Sequence, residues 1–202
     1  MDKVGHQQEK FEYIPGKTQE DSALLTNTDG SSLVAISPIG AKPNNVILDG
    51  VQVLTPFVAP DESENPEEYG YPHAFMFFPG RTFEGKSSEF PALELAINEG
   101  ENNLHGISSF YKGAWPEFNY PTGQNIAEVT FGLVMNQITA EKGESKYPFS
   151  VLTKVTYRLA VKNKLEIDVE AKNIGKEIAP YAFGWHPYFT AFEVDPSKLI
   201  TS

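Results

Sequence analysis

One stretch restricts the fold of this chain more than any other: a two-residue alternation over residues 151–171. Val151, Thr153, Val155, Tyr157, Leu159 and Val161 alternate with Leu152, Lys154, Thr156, Arg158 and Lys162. After a Lys-Asn-Lys turn, Leu165, Ile167, Val169 and Ala171 alternate with Glu166, Asp168 and Glu170. Successive side chains of a strand point to opposite faces. Period two on both sides of a short polar turn therefore predicts a β-hairpin with one buried and one solvated face.

The rest of the chain reads the same way. Fifteen prolines and 16 glycines divide it into short segments rich in β-branched and aromatic residues, and no long segment carries a convincing helical period. Residues 31–36 and 46–54 read as strands, the second broken by a turn at Asp49-Gly50. Residues 60–72 (PDESENPEEYGYP) read as an acidic surface loop, and 75–78 as a short apolar run ending at Pro79-Gly80. Residues 113–124 read as a long aromatic loop of the kind that carries binding groups on a β scaffold. The sum is an antiparallel all-β architecture, a sandwich in preference to a small closed barrel.

Composition narrows the partners. At 202 residues the chain suits one large β domain, here taken as residues 1–202. A net charge of −11 argues against nucleic acid, whose phosphates demand clustered Lys and Arg. No apolar run is long enough to span a bilayer, and residues 1–13 are polar, so the expectation is a cytoplasmic chain without membrane contact. Cysteine is absent, which removes disulfides and thiolate metal sites.

Four histidines carry most of the chemical interest: His6, His73, His105 and His186. His6 lies in a polar terminus, and His73 follows the acidic loop. His105 closes residues 102–106 (NNLHG), where a polar turn and one apolar anchor would project an imidazole from a sheet edge; it could equally satisfy turn carbonyls. His186 sits in residues 184–189 (GWHPYF). Aromatic density of that kind is core in most proteins, yet Pro187 interrupts regular pairing there. Aromatic faces beside a polar donor also suit a pyranose, whose apolar face stacks while its hydroxyls seek fixed partners. A histidine near its ordinary pKa of about 6.5 can move protons at neutral pH.

The segment GWHPYF resembles the G-x-H-P-Y-F segment of the aldose 1-epimerase (mutarotase) family, and NNLHG resembles that family's N-x-L-H-G. Phe110, Lys112 and Trp115 follow the latter, as they often do there. Phe78-Pro79-Gly80-Arg81 resembles the arginine-bearing segment that precedes it, and Tyr147-Pro148-Phe149 and Asn173-x-Gly175 also recur in such proteins. The likeness runs from about residue 33 to the last residues. It implies the large antiparallel β-sandwich of the galactose mutarotase-like fold and interconversion of α and β anomers of an aldose through the open-chain aldehyde. By the same resemblance, His186 is the general acid that protonates the ring oxygen, and His105 bonds near that oxygen or the anomeric hydroxyl. Arg81 holds a substrate hydroxyl, and Tyr188 and Trp185 line the pocket. No cofactor or metal is implied. A neutral aldohexose is the expected partner, since a phosphorylated sugar would want more cations than Arg81 and Lys112.

The resemblance also implies a glutamate base near the C-terminus and a substrate-binding aspartate before it. Residues 195–202 read as the start of a further strand, so the fold is expected to be incomplete at this end, and neither carboxylate has a counterpart. Glu166 and Glu170 read as surface residues, and nothing in the sequence singles out Glu84, Glu99 or Glu101, so no base is assigned. An open sheet exposes strand edges, which predicts self-association through them. A sugar-binding β-sandwich without turnover is the alternative reading.

Overall fold

The computed structural model describes residues 11–14, 23–38, 40–55, 73–107, 117–119, 126–136, 145–161 and 164–190. Regular structure among them is strand almost throughout, as the alternation predicts. The first sheet is an antiparallel meander of β1 (Phe11–Ile14), β2 (Ala23–Asn27), β3 (Leu33–Ser37), β4 (Lys42–Leu48) and β5 (Val51–Gln52), in that order. Asp49 and Gly50, at φ 53° and 73°, make the tight turn expected between the last two. The acidic segment 60–72 lies outside the described residues, as do Phe110, Lys112 and Trp115.

The second sheet has the order β12-β11-β10-β9, built from β9 (Glu117–Asn119), β10 (Ile126–Val134), β11 (Val151–Ala160) and β12 (Lys164–Asn173). The stretch 113–124 is thus not a loop throughout: it holds β9, which pairs with β10 across a register shift at Thr130/Phe131. Its three residues, Glu-Phe-Asn, are too few to show a period beside Pro116 and Pro121. β10 lies against β1 and β2, and β11 against β2. Leu25, Val34 and Ile36 from one sheet meet Val129, Phe131, Val155 and Leu159 from the other in a single buried cluster. The Tyr157 hydroxyl, wholly buried, donates to the Ala41 carbonyl at 2.6 Å and so ties β11 to the β3–β4 turn.

The predicted hairpin is β11–β12, in continuous register from Val151↔Asn173 to Ala160↔Lys164. On β11 the alternation of burial is strict over all ten residues. On β12 it is not: Leu165 and Ile167 are half-buried, while Val169 is 40% exposed. The expectation of a buried apolar face fails on this strand because, among the described residues, β12 is the edge of its sheet, and the first sheet covers β10 and β11 instead. On the outer face Arg158 bonds Glu128 of β10 and Asp168 of β12, spanning three strands.

Two short antiparallel ribbons complete the described fold and lead into His105 and His186. β6 (Phe75–Phe77) pairs with β13 (Phe183–Trp185), and β7 (Arg81–Phe83) pairs with β8 (Asn102–Leu104). β6 is buried at all three residues, Phe75, Met76 and Phe77.

Candidate functional site

β6 is the plank from which the site hangs. At one end the His186 amide donates to the Ala74 carbonyl at 3.1 Å, extending the β13 pairing by one residue. At the other end the Ile107 amide donates to the Phe77 carbonyl at 3.3 Å, which places the turn after β8 across the end of β6. Gly106 makes this crossing feasible. Its φ is +71°, and a Cβ there would stand 1.5 Å from the Phe77 oxygen, so only glycine fits.

Asparagine shapes the turn that presents His105. Asn103 is fully buried; its side-chain oxygen accepts the Gly106 amide at 2.8 Å and its amide donates to the Ala96 carbonyl at 2.7 Å. Asn98 bonds both backbone groups of Leu104, at 2.6 and 3.0 Å. Held on both sides, His105 takes φ +64°, a left-handed conformation uncommon outside glycine. The Gly80 amide donates to His105 Nδ1 at 3.2 Å. Nδ1 is then the acceptor of a neutral ring, and the proton sits on Nε2. Partial burial, then the neighbouring His186 and Arg81, hold the His105 imidazole below the usual histidine range; Glu99 acts weakly in the opposite sense.

His186 is exposed and lies with its ring centre 6.1 Å from that of His105, the planes inclined at 72°. The two histidines, 81 positions apart in sequence, therefore meet. Tyr188 stacks obliquely on His186, with centres 4.9 Å apart and planes 34° apart, and half of its surface is open. Arg81 opens β7 opposite Leu104, the neighbour of His105. Its guanidinium grips Glu99 with two bonds, Nε to Oε2 at 2.5 Å and Nη2 to Oε1 at 2.8 Å. That fork-to-fork pairing fixes the plane of the guanidinium and holds the Glu99 carboxyl below the usual range.

Trp185, expected to line the pocket, packs among aromatic neighbours. Strand alternation turns it away from His186 onto the side of Phe75, 6.1 Å away, and Phe189, 6.2 Å away. Its indole N–H donates to the His73 carbonyl at 3.0 Å. Of the five predicted site residues, His105, His186, Tyr188 and Arg81 gather at one end of the two ribbons, and Trp185 packs behind them. Sequence reasoning missed Glu99, the one described carboxylate that acts on His105, and Asn98 and Asn103, which build the turn. The repeated asparagines before the histidine were the available signal. No group of three or more His, Cys, Asp or Glu able to hold a metal occurs among the described residues.

The family profile described as aldose 1-epimerase matches residues 25–199. The chain belongs to the aldose 1-epimerase family. Among curated relatives it is 41% identical over 100 residues to the uncharacterized protein YihR of Escherichia coli, a match covering 48% of this chain and 28% of that protein. A solved galactose 1-epimerase from Lactobacillus acidophilus superposes with a TM-score of 0.61 at 21% identity, over 90% of this chain and 52% of that one. A galactose mutarotase-like protein from Clostridium acetobutylicum gives a TM-score of 0.67 at 19% identity, over 89% of this chain and 54% of that one. The mutarotase-like fold is thereby shown, and the chain spans about half the length of these solved epimerase-like structures.

Proposed function

We propose that this chain provides the acid and substrate-holding side of a mutarotase site for a neutral aldohexose. The observation that carries this reading is the meeting of His105 and His186 at 6.1 Å, with Arg81 anchored beside them. Opening a pyranose requires a proton taken from the C1 hydroxyl, a proton given to the ring oxygen, and cleavage of the bond between C1 and that oxygen. Reclosure on the other face of the aldehyde yields the opposite anomer, with no net proton consumed.

In this reading His186 protonates the ring oxygen, for which its exposure suits it. His105, bearing its proton on Nε2, donates a hydrogen bond to the ring oxygen or the anomeric hydroxyl. Arg81 uses the N–H groups not engaged by Glu99 for a second hydroxyl. Tyr188 offers the aromatic face for the sugar, and Trp185 supports it from behind. Glu99 is a poor base, because its oxygens are committed to Arg81. That commitment favours a second reading, sugar binding without turnover, for the 202-residue chain by itself.

The test is the approach of α-glucose or α-galactose to anomeric equilibrium, followed by polarimetry or NMR. Turnover above the buffer rate is expected to fall about 10²–10⁴-fold in His186→Gln, the usual worth of a general acid. A rate equal to buffer from well-folded protein would remove the catalytic reading. Sugar titration would then decide the second one, through binding that weakens in His186→Gln.

The edge of β12, unpaired among the described residues, supports the self-association expected from the sequence, through strand pairing between two copies. Sedimentation velocity is the check: mass should rise with concentration, and Val169→Lys should shift the chain towards monomer.

A further inference from the structure

Among the described residues, His73 is the histidine that the proposed chemistry does not use, and both of its ring nitrogens are engaged. It is fully buried and holds φ +61°. Its Nε2 lies 2.8 Å from the Thr55 carbonyl oxygen, and its Nδ1 accepts the Tyr188 amide at 3.1 Å. A carbonyl can only accept and an amide N–H can only donate. The two bonds together assign a neutral ring with the proton on Nε2.

These bonds attach a strap. From Trp185 to Thr190 the chain runs from β6 across to the segment after β5. The Trp185 indole is tied to the His73 carbonyl, and the His186 amide to the Ala74 carbonyl. The Tyr188 carbonyl accepts the Thr55 amide at 2.9 Å, and the Thr190 amide donates to the Val53 carbonyl at 3.0 Å. The other backbone groups described as bonded along this strap pair with backbone groups. The Tyr188 amide goes to an imidazole nitrogen, which makes that attachment titratable.

We propose that His73 is a positioning residue: its unprotonated Nδ1 holds Tyr188, and through the Tyr188–His186 stack sets the His186 ring opposite His105. A proton on Nδ1 would place two donors face to face and release the strap. Burial is the main opponent of that proton; the Thr55 carbonyl favours it, and Lys42, reaching in from β4, opposes it. Lys42 is itself nearly buried and lowered to about 8 by desolvation. The Tyr188 ring meets His73 edge-on at 5.9 Å, and His186 lies beyond Tyr188. Release is thus expected only below the ordinary histidine range.

The clamp stands apart from the sugar reading; its effect on turnover rests on that reading. The experiment is NMR on the uniformly labelled full chain without sugar. At neutral pH a scalar coupling across the N–H···N bond is expected between the Tyr188 amide and His73 Nδ1. It should vanish, with a shift of the Tyr188 amide, at the pH where the His73 ring titrates. In His73→Gln, whose amide oxygen can accept but does not titrate near neutrality, the Tyr188 amide should lose its response at that pH. In His73→Leu its hydrogen exchange at fixed pH should quicken about tenfold or more, consistent with a lost buried bond. A neutral His73 with its proton on Nδ1, or a Tyr188 amide that follows only the titration of His186, would overturn the proposal. The wild-type measurement decides it even where a variant does not fold. Absence of sugar turnover alongside an intact coupling would count against the proposed function and leave the clamp standing.

Discussion

Gly106 decides whether His105 can stand where it does. Its backbone crosses the end of β6 so closely that a single methyl would collide with the Phe77 carbonyl. A left-handed φ adds its own cost of about 1–2 kcal/mol for any other residue. Gly106→Ala is therefore expected to lose about 2 kcal/mol or more, read as a fall of several degrees in thermal midpoint. It should also displace the His105 ring, read in the same sample as a shift of the His105 side-chain NMR signals. The motif containing this glycine was visible in the sequence, but the reason for it was not. The Phe77 carbonyl it must avoid belongs to a strand nearly thirty positions earlier. Glu99 was invisible for a related reason. A glutamate in a turn looks like any other until Arg81 is folded beside it, and only the pairing of β7 with β8 brings them together.

The strands show where periodicity suffices and where it does not. β11 and β12 carry the same alternation in sequence, yet among the described residues only β11 is covered on its apolar face. Alternation tells which residues share a face; which faces are covered depends on the other sheet. The difference can be measured by urea denaturation. Val155→Ala, in the closed interior, is expected to cost about 2 kcal/mol from lost burial and a residual cavity. Val169→Thr, on the open strand, should change stability by no more than about 0.5 kcal/mol. Equal costs would mean that β12 is covered in solution. The meander of β1 to β5 was legible in part, through its β-branched runs and the Asp49-Gly50 turn. The ribbons were not, since three-residue strands such as β6 and β13 are too short to display a period.

At the scale of the molecule, neutral histidines withdrawn wholly or partly from water link folding to pH. His73 and His105 both sit below the ordinary histidine value, with burial the leading cause in each. The unfolded chain takes up its protons around pH 6.5, whereas the folded chain resists until lower pH. Their contribution is thus fully present above about pH 6.5 and is lost as pH falls through the folded values. Thermal midpoints measured from pH 7 downward should decline, and His73→Gln should flatten the decline. A profile unchanged by His73→Gln would mean that His73 takes up its proton as readily in the folded chain as in the unfolded one. The family and the sandwich were readable from motifs and alternation, because both are written in local sequence. The convergence of the histidines was readable only by resemblance, since no local pattern announces that residues 75–77 will pair with 183–185.

That pairing has a kinetic corollary. Phe77 and Phe183 stand about a hundred residues apart, and the loop-closure entropy between them must be met before the ribbon returns any contact. The first-sheet meander and the β11–β12 hairpin close over short distances and can form early. The His186 strap cannot dock until the polypeptide as far as Thr190 is available and both sheets are in place. In refolding, strand signals should therefore mature before the environment of Trp185 does.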